Sequence, residues 1–308
     1  MKNNTYKFIY LIIILIISYQ ILTHSSIVFS SVEYAINIWK NSLLPSMFTF
    51  FILSEILVNY GFVELIGYIL YKPFNYIFHI NSNSIFVIIM SMLTGFPSSA
   101  KYIKLLLSEN KITEEEANKL IQFTHFSNPL FIINTISLTI LNDSKIGLLV
   151  LISHYLGNFI IALFIRPKHI ENKQPKLQLT IKDSNIVRVL TKAITNSIDT
   201  LLLVLGIITT CTILSNIVSV HISEEFSFLF NIIFEMTKGL YQIKDIDLTL
   251  LYKGLLSVMI ISFGGISVHM QVSSILSDTK IKYVPFFIAR IIHSLISSLI
   301  FFIMFMMH

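Results

Sequence analysis

Cysteine is nearly missing. Cys211 is the only one, so an internal disulfide framework and any cysteine-based metal or redox centre are excluded. Charge is sparse as well: 13% of the 308 residues are charged and 54% are hydrophobic, about half the charged share usual in a soluble domain. The chain also lacks a P-loop, a Gly-x-Gly-x-x-Gly turn, a His-Glu-x-x-His pair and a Gly-x-Ser-x-Gly elbow, which removes the common nucleotide, zinc-protease and hydrolase signatures. Its nine histidines form no ligand pair at helical spacing. No cofactor, no metal and no nucleic-acid partner is expected.

What is present is a series of apolar runs near the ~20 residues that cross a bilayer. Runs such as 12–17 and 201–205 are continuous rather than alternating, which rejects a transmembrane barrel. The expectation is an all-α polytopic membrane protein with the lipid bilayer as partner. Residues 8–22 read as a retained anchor, because no small-x-small cleavage site follows them. Spans are expected over 43–60, 125–141, 146–166, 193–220, 248–276 and 284–306. Residues 61–80, interrupted by Gly67 and Pro73, read as an interfacial elbow, and 109–119, with a Thr113–Glu116 capping box, as a polar surface helix. Residues 85–107 and 226–243 read as re-entrant hairpins.

Four interruptions carry the argument: Gly95-Phe96-Pro97, Ser127-Asn128-Pro129, Glu235 with Thr237 and Gly239, and Gly264-Gly265. Backbone unwinds at membrane depth only where protein or a wet cavity satisfies its freed N–H and C=O groups. Two hairpins and two broken spans, one of each per half, therefore point to a transporter-type site. The hydrophilic stretch 167–192 separates the halves and is basic, which places it in the cytoplasm. The chain then divides into an anchor (1–42), a first repeat (43–166), the basic linker (167–192) and a second repeat (193–308). The segment 140–146 matches 275–281 at five of seven positions, and 52–56 resembles 213–217. Three crossings per half make the second repeat inverted relative to the first.

Leu43-Leu44-Pro45-Ser46-Met47-Phe48, Gly95-Phe96-Pro97, Phe126-Ser127-Asn128-Pro129, His154-Tyr155-Leu156-Gly157-Asn158 and Phe263-Gly264-Gly265-Ile266-Ser267-Val268-His269 occur in that order. The set resembles the sporulation integral membrane protein family called YlbJ or SpoVV. The resemblance runs from about Leu43 to the C-terminus. It implies a nucleoside-recognition gate domain, an architecture similar to concentrative nucleoside transporters, and movement of dipicolinate across the outer forespore membrane. Gly-Tyr-Pro is frequent in the family where this chain has Gly95-Phe96-Pro97, so one hydroxyl is missing here.

The candidate substrate-binding residues are Pro97, Ser98, Ser99, Lys101, Ser127, Asn128, Glu235, Thr237, Gly239, Gly264, Gly265, Ser267 and His269. N–H groups after Pro97, with Lys101, suit an anion. Ser127 and Asn128 offer donors and acceptors at an unwound point. Glu235 is either a ligand or proton site or a staple for the hairpin backbone, and both readings place it at the hairpin tip. Glu55 and Asp199 read as structurally paired sooner than ion-coupling, and Arg290 as snorkelling toward the cytoplasm. The leading reading is a carrier of a small polar anion. A nucleoside carrier and a non-transporting assembly protein of the spore envelope are the alternatives, with an intramembrane enzyme weakest. A coupling proton or cation and a homo-oligomer stay open.

Topology follows from the basic residues. A cytoplasmic N-terminus puts 16 of them inside and four, Lys40, Lys145, Lys238 and Lys244, outside. In a Cys211→Ser background, a cysteine at position 143 is expected to react with an impermeant thiol reagent from outside and one at 175 to be protected; labelling at 175 would contradict this topology.

Overall fold

A computed structural model of the chain describes residues 2–166 and 175–307. The linker residues Lys168, Glu171 and Lys173 lie outside the described residues. Every regular element among the described residues is a helix. Helix α1 (Lys2–Thr23) buries none of its apolar window, and α2 (Ser25–Ile38) follows it. A π-helical turn at Trp39–Leu43 joins α2 to α3 (Leu44–Asn59), so 25–59 is one rod of 35 residues. The expected division at position 42 therefore falls inside a helix. Pro45 sits in the first turn of α3, where its missing N–H costs little, and the wider π turn lies just before it.

Helix α4 (Phe62–Phe78) is the elbow, bent 92° from α5 (Ser82–Thr94). Helices α5 and α6 (Ser98–Ser108) then form an antiparallel pair, with Phe86 edge-on to Tyr102. Helix α7 (Glu114–Phe123) starts in the expected capping box and keeps Glu114 and Glu115 exposed at the surface, but its other face is buried. It buries Ala117, Leu120, Ile121 and Phe123 and forms the first arm of a broken element whose second arm is the π-helical segment Phe131–Leu141. That second arm has 11 residues, too few to cross alone, so the expected span 125–141 is corrected to two arms on either side of an unwound stretch. Helix α8 (Ser144–Ile165) completes the first half.

The second half has the same order without the elbow: α9 (Ile186–Ser219), the pair α10 (Glu224–Phe234) and α11 (Met236–Asp245), the broken pair α12 (Leu250–Phe263) and α13 (Gly265–Ile275), and α14 (Tyr283–Met306). Among the described residues, six helices are long and apolar enough to cross a membrane, or up to seven if the bent pair of α4 and α5 is one span. Two apolar clusters form the core, and each mixes residues of both halves. One gathers Met47, Phe96, Phe131, Val204, Met236 and Val268, the other Phe86, Ile103, Phe126, Val272 and Phe286.

Ion pairs gather on the face that carries the linker. Lys182 pairs with Glu109, Lys111 with Glu64 (2.7 Å) and Glu109 (3.1 Å), Lys104 with Asp278 (2.7 Å) and Lys280 with Glu114 (3.0 Å). Asn59 ties down the linker's end: its amide donates to the Asp183 carbonyl (2.8 Å) and accepts from the Asp183 N–H (3.1 Å). Partial burial works against charge on Glu109, yet hydrogen bonds from Lys182 and Lys111 outweigh it and hold the carboxyl below its usual range.

Gly239 shows how closely the second hairpin is packed. A Cβ there would lie 2.8 Å from Ile232 Cα across the pair, whereas one at Gly206 would meet nothing within 4 Å. Gly239→Ala is expected to destabilise the protein by about 1–3 kcal/mol through overpacking. Gly206→Ala, in a helix interior, is expected to be neutral or stabilising by about 0.5–1 kcal/mol. Thermal unfolding in detergent checks both; equal effects would contradict the close hairpin contact.

Candidate functional site

The four interruptions meet through the space that three glycines leave open. A Cβ at Gly95, on the first hairpin tip, would lie 2.5 Å from the Asn128 nitrogen. One at Gly264 would lie 2.8 Å from His125 Nε2, and one at Gly265 would lie 3.2 Å from the Met236 nitrogen at the second tip. Gly95 and Gly264 also have φ of +78° and +90°, which other residues rarely adopt. First hairpin, first break, second break and second hairpin are thus in contact in that order.

The unwound stretch around 124–128 finds its partners in side chains. Asn128 Nδ2 donates to the carbonyls of Ser46 (3.0 Å), Leu93 (3.0 Å) and Thr94 (3.2 Å), while its Oδ1 accepts from the N–H of Leu130 (2.8 Å) and Phe131 (3.3 Å). Helix α8 supplies the rest. Tyr155 Oη donates to Met92 O (2.6 Å) and Ser127 O (3.1 Å), and Asn158 Nδ2 donates to His125 O (2.8 Å). The Ser127 N–H donates to His154 Nε2 (2.9 Å), so Nδ1 carries the ring proton and donates to Ser262 Oγ (2.9 Å). One imidazole therefore links the break of the first half to the helix end at the break of the second.

Behind it lies a wholly buried polar cluster. His293 Nε2 donates to His154 O (2.8 Å) and leaves Nδ1 to accept from Arg290 Nη1 (2.9 Å). Arg290 Nη2 donates to Gln122 O, and Nη1 also approaches Asn158 Oδ1 at 3.4 Å. Arg290 is 0% exposed, so the expectation of a snorkelling arginine is corrected: α14 points it inward, where neutral acceptors hold it.

At the second tip Glu235 caps α11. Its Oε1 accepts from the Thr237 N–H (2.8 Å) and from the Thr237 hydroxyl, whereas Oε2 has no hydrogen-bond partner. The staple expected of Glu235 exists, and it occupies one oxygen of the two. The Ser127 hydroxyl is likewise buried without a partner, and the Ser267 hydroxyl, which completes no hydrogen bond, lies close enough to the Glu235 carboxyl to act on it. These three unmatched groups line one small cavity together with Thr237, Asn128, Ser46, Gln271 and an apolar wall that includes Met47, Phe96, Phe131 and Met236. Its free volume is about 30 Å³, room for about two waters.

The sequence-derived candidates therefore separate. Ser127, Asn128, Glu235, Thr237 and Ser267 line the cavity, although Asn128 spends its amide on backbone. Pro97 starts α6, and Ser98 bonds Gly95 O and Thr94 at the hairpin tip. Ser99 is buried outside the cavity lining. Gly239, Gly264 and Gly265 serve close contacts rather than the lining. Lys101 is paired with Glu55 at 2.7 Å, and Glu55 also accepts from Asn196 (3.3 Å). His269 caps a helix end: Nε2 donates to Phe263 O (3.0 Å) and Nδ1 accepts from Tyr283 Oη (3.0 Å). Lys238 donates to Asn216 and to Asn231 (2.7 Å). Ser46, Phe96 and Met236 were not singled out as lining residues; for Ser46 the Pro45 beside it was the available signal.

No family model matches the chain, and no solved structure matches it. The sporulation integral membrane protein YlbJ of Bacillus subtilis (strain 168) is 30% identical to it over 322 aligned positions, covering 92% of this chain and 79% of that protein. With that identity maintained over most of both proteins, and with helices able to cross a membrane six times or more, the chain is a multi-pass membrane protein that belongs to the YlbJ family of sporulation integral membrane proteins.

Proposed function

We propose that the chain is a carrier for a small polar solute, dipicolinate first, which it moves from the mother-cell cytoplasm across the outer forespore membrane through the cavity between the hairpins. The observation that carries this reading is the convergence of two hairpin tips and two broken elements on unpartnered groups, Ser127 Oγ, Ser267 Oγ and Glu235 Oε2. A protein built only for assembly has no need to bury polar groups without partners at this depth. The twofold element order supports two inverted repeats: the matched segments 52–56 and 213–217 lie in α3 and α9, and 140–146 and 275–281 both lead into the last helix of a half. In this reading the hairpins are re-entrant, and rocking of one repeat against the other gives alternating access. About 30 Å³ is too little for an aromatic diacid, so this is a closed conformation, and loading separates the tips.

A nucleoside carrier is the second reading, and Glu235 favours it. Oε2 has no hydrogen-bond donor: Lys101 is paired with Glu55, and Lys238, whose charge acts on Glu235, gives its hydrogen bonds to Asn216 and Asn231. A carboxylate oxygen so placed suits the hydroxyls of a ribose better than an anion, unless it carries a coupling proton. Purified protein in proteoliposomes separates these readings. Dipicolinate flux without uridine flux is expected; uridine flux alone would replace the anion reading. Glu235→Ala removes the cap and is expected to cost about 0.5–2 kcal/mol of stability together with transport. Glu235→Gln retains the capping oxygen and the fold. Its flux identifies the role of the carboxylate: transport is retained if Glu235 only caps and lost if it carries the proton.

A further inference from the structure

We propose that His125, with Arg290 behind it, is the anion-recognising group held behind Phe96 at the edge of this cavity, the group that binds a ring-borne carboxylate of the substrate. The inference rests on the carrier reading above and says where in the cavity an anion binds, which the cavity's own lining leaves open. Glu235 is the only ionisable side chain of that lining; Lys101 is paired with Glu55, and Lys238, whose charge acts on Glu235, gives its hydrogen bonds to Asn216 and Asn231. A dianion held there needs positive potential or donors from another source.

His125 supplies the donor. Its side chain is 0% exposed, and neither ring nitrogen has a hydrogen-bond partner. A buried imidazole is ordinarily bonded at one nitrogen at least, as His154, His269 and His293 are in this same protein. The ring stacks on Phe96, centroids 4.6 Å apart and planes at 13°, and meets Phe286 edge-on at 5.6 Å. Phe96 lines the cavity, so one aromatic side chain separates the imidazole from the space where the solute binds. Asn158 holds the His125 carbonyl and anchors the residue without using its ring.

Arg290 supplies the potential. It lies one helical turn beyond Phe286, with its guanidinium carbon 5.5 Å from that ring's centroid, and its field reaches His125. No carboxylate pairs with it among the described residues, and its Nε is bare. A buried guanidinium without an acid is costly, and an incoming carboxylate relieves that cost. When Phe96 swings aside, the His125 N–H is presented to the cavity within this field, beside aromatic faces that suit a planar ring.

The test is equilibrium binding of radiolabelled pyridine-2,6-dicarboxylate to the full chain in nanodiscs. His125→Phe preserves the ring stack and removes both nitrogens. It is expected to weaken binding by about tenfold or more, the loss of one charge-assisted hydrogen bond, with thermal unfolding unchanged. Unchanged affinity in this variant overturns the inference and leaves the carrier reading intact, whereas no binding by the unaltered protein overturns both. Should His125→Phe fail to fold, His125→Met takes its place: it fills the same space without a ring nitrogen and is expected to show the same loss of about tenfold or more, and unchanged affinity in it overturns the inference.

Discussion

Unwound backbone inside a membrane protein has to find hydrogen-bond partners within the protein, because lipid offers none. Around residues 124–128 those partners are the side chains of Asn128, His154, Tyr155 and Asn158. At the second tip the partner is Glu235, which caps α11 with one oxygen. The rest of the site follows from this requirement. Helix α8 must lie against the first break to present its three side chains, and Gly157 allows α14 to approach α8, since a Cβ there would lie 2.1 Å from Ser297 Oγ. His154 then reaches Ser262 across the halves. Convergence of the four interruptions is the geometry in which these bonds are made together.

Much of the fold was legible because its signals are local. Continuous apolar runs give spans, Gly95 and Pro97 give a hairpin tip, and Thr113 with Glu116 gives a helix start, and all of these are decided within a few residues. The break at 127–129 was legible for the same reason, since Pro129 cannot continue a hydrogen-bonded helix. The extent of the elements around it was not. Whether 114–123 lies on the surface or forms an arm of a broken element depends on what its apolar face meets, and that face meets residues distant in sequence.

Partner choice was the least legible feature. Lys101 follows a hairpin tip and reads as an anion ligand, yet Glu55 on another helix takes its charge. His269 follows a glycine break and reads as a cavity residue, yet it faces Phe263 O and Tyr283. Arg290 reads as an end-of-span arginine, and it is fully buried. A side chain's chemistry fixes what it can bond, whereas tertiary packing fixes what it does bond. For His125 the sequence offered only its place beside Ser127 and Asn128; that its nitrogens lack partners is a property of the packed structure.

The central claim is that the two breaks, one from each half, face a common cavity, and cross-linking across it tests this most directly. Ser127 and Ser267, which line it from opposite halves, are replaced by cysteine in a Cys211→Ser background that carries a protease site after Lys176. Membranes are treated with a bifunctional thiol reagent a few ångströms long and then cleaved. The two halves are expected to remain covalently joined in the double-cysteine protein and to separate in either single one; clean separation in the double-cysteine protein would contradict a shared cavity.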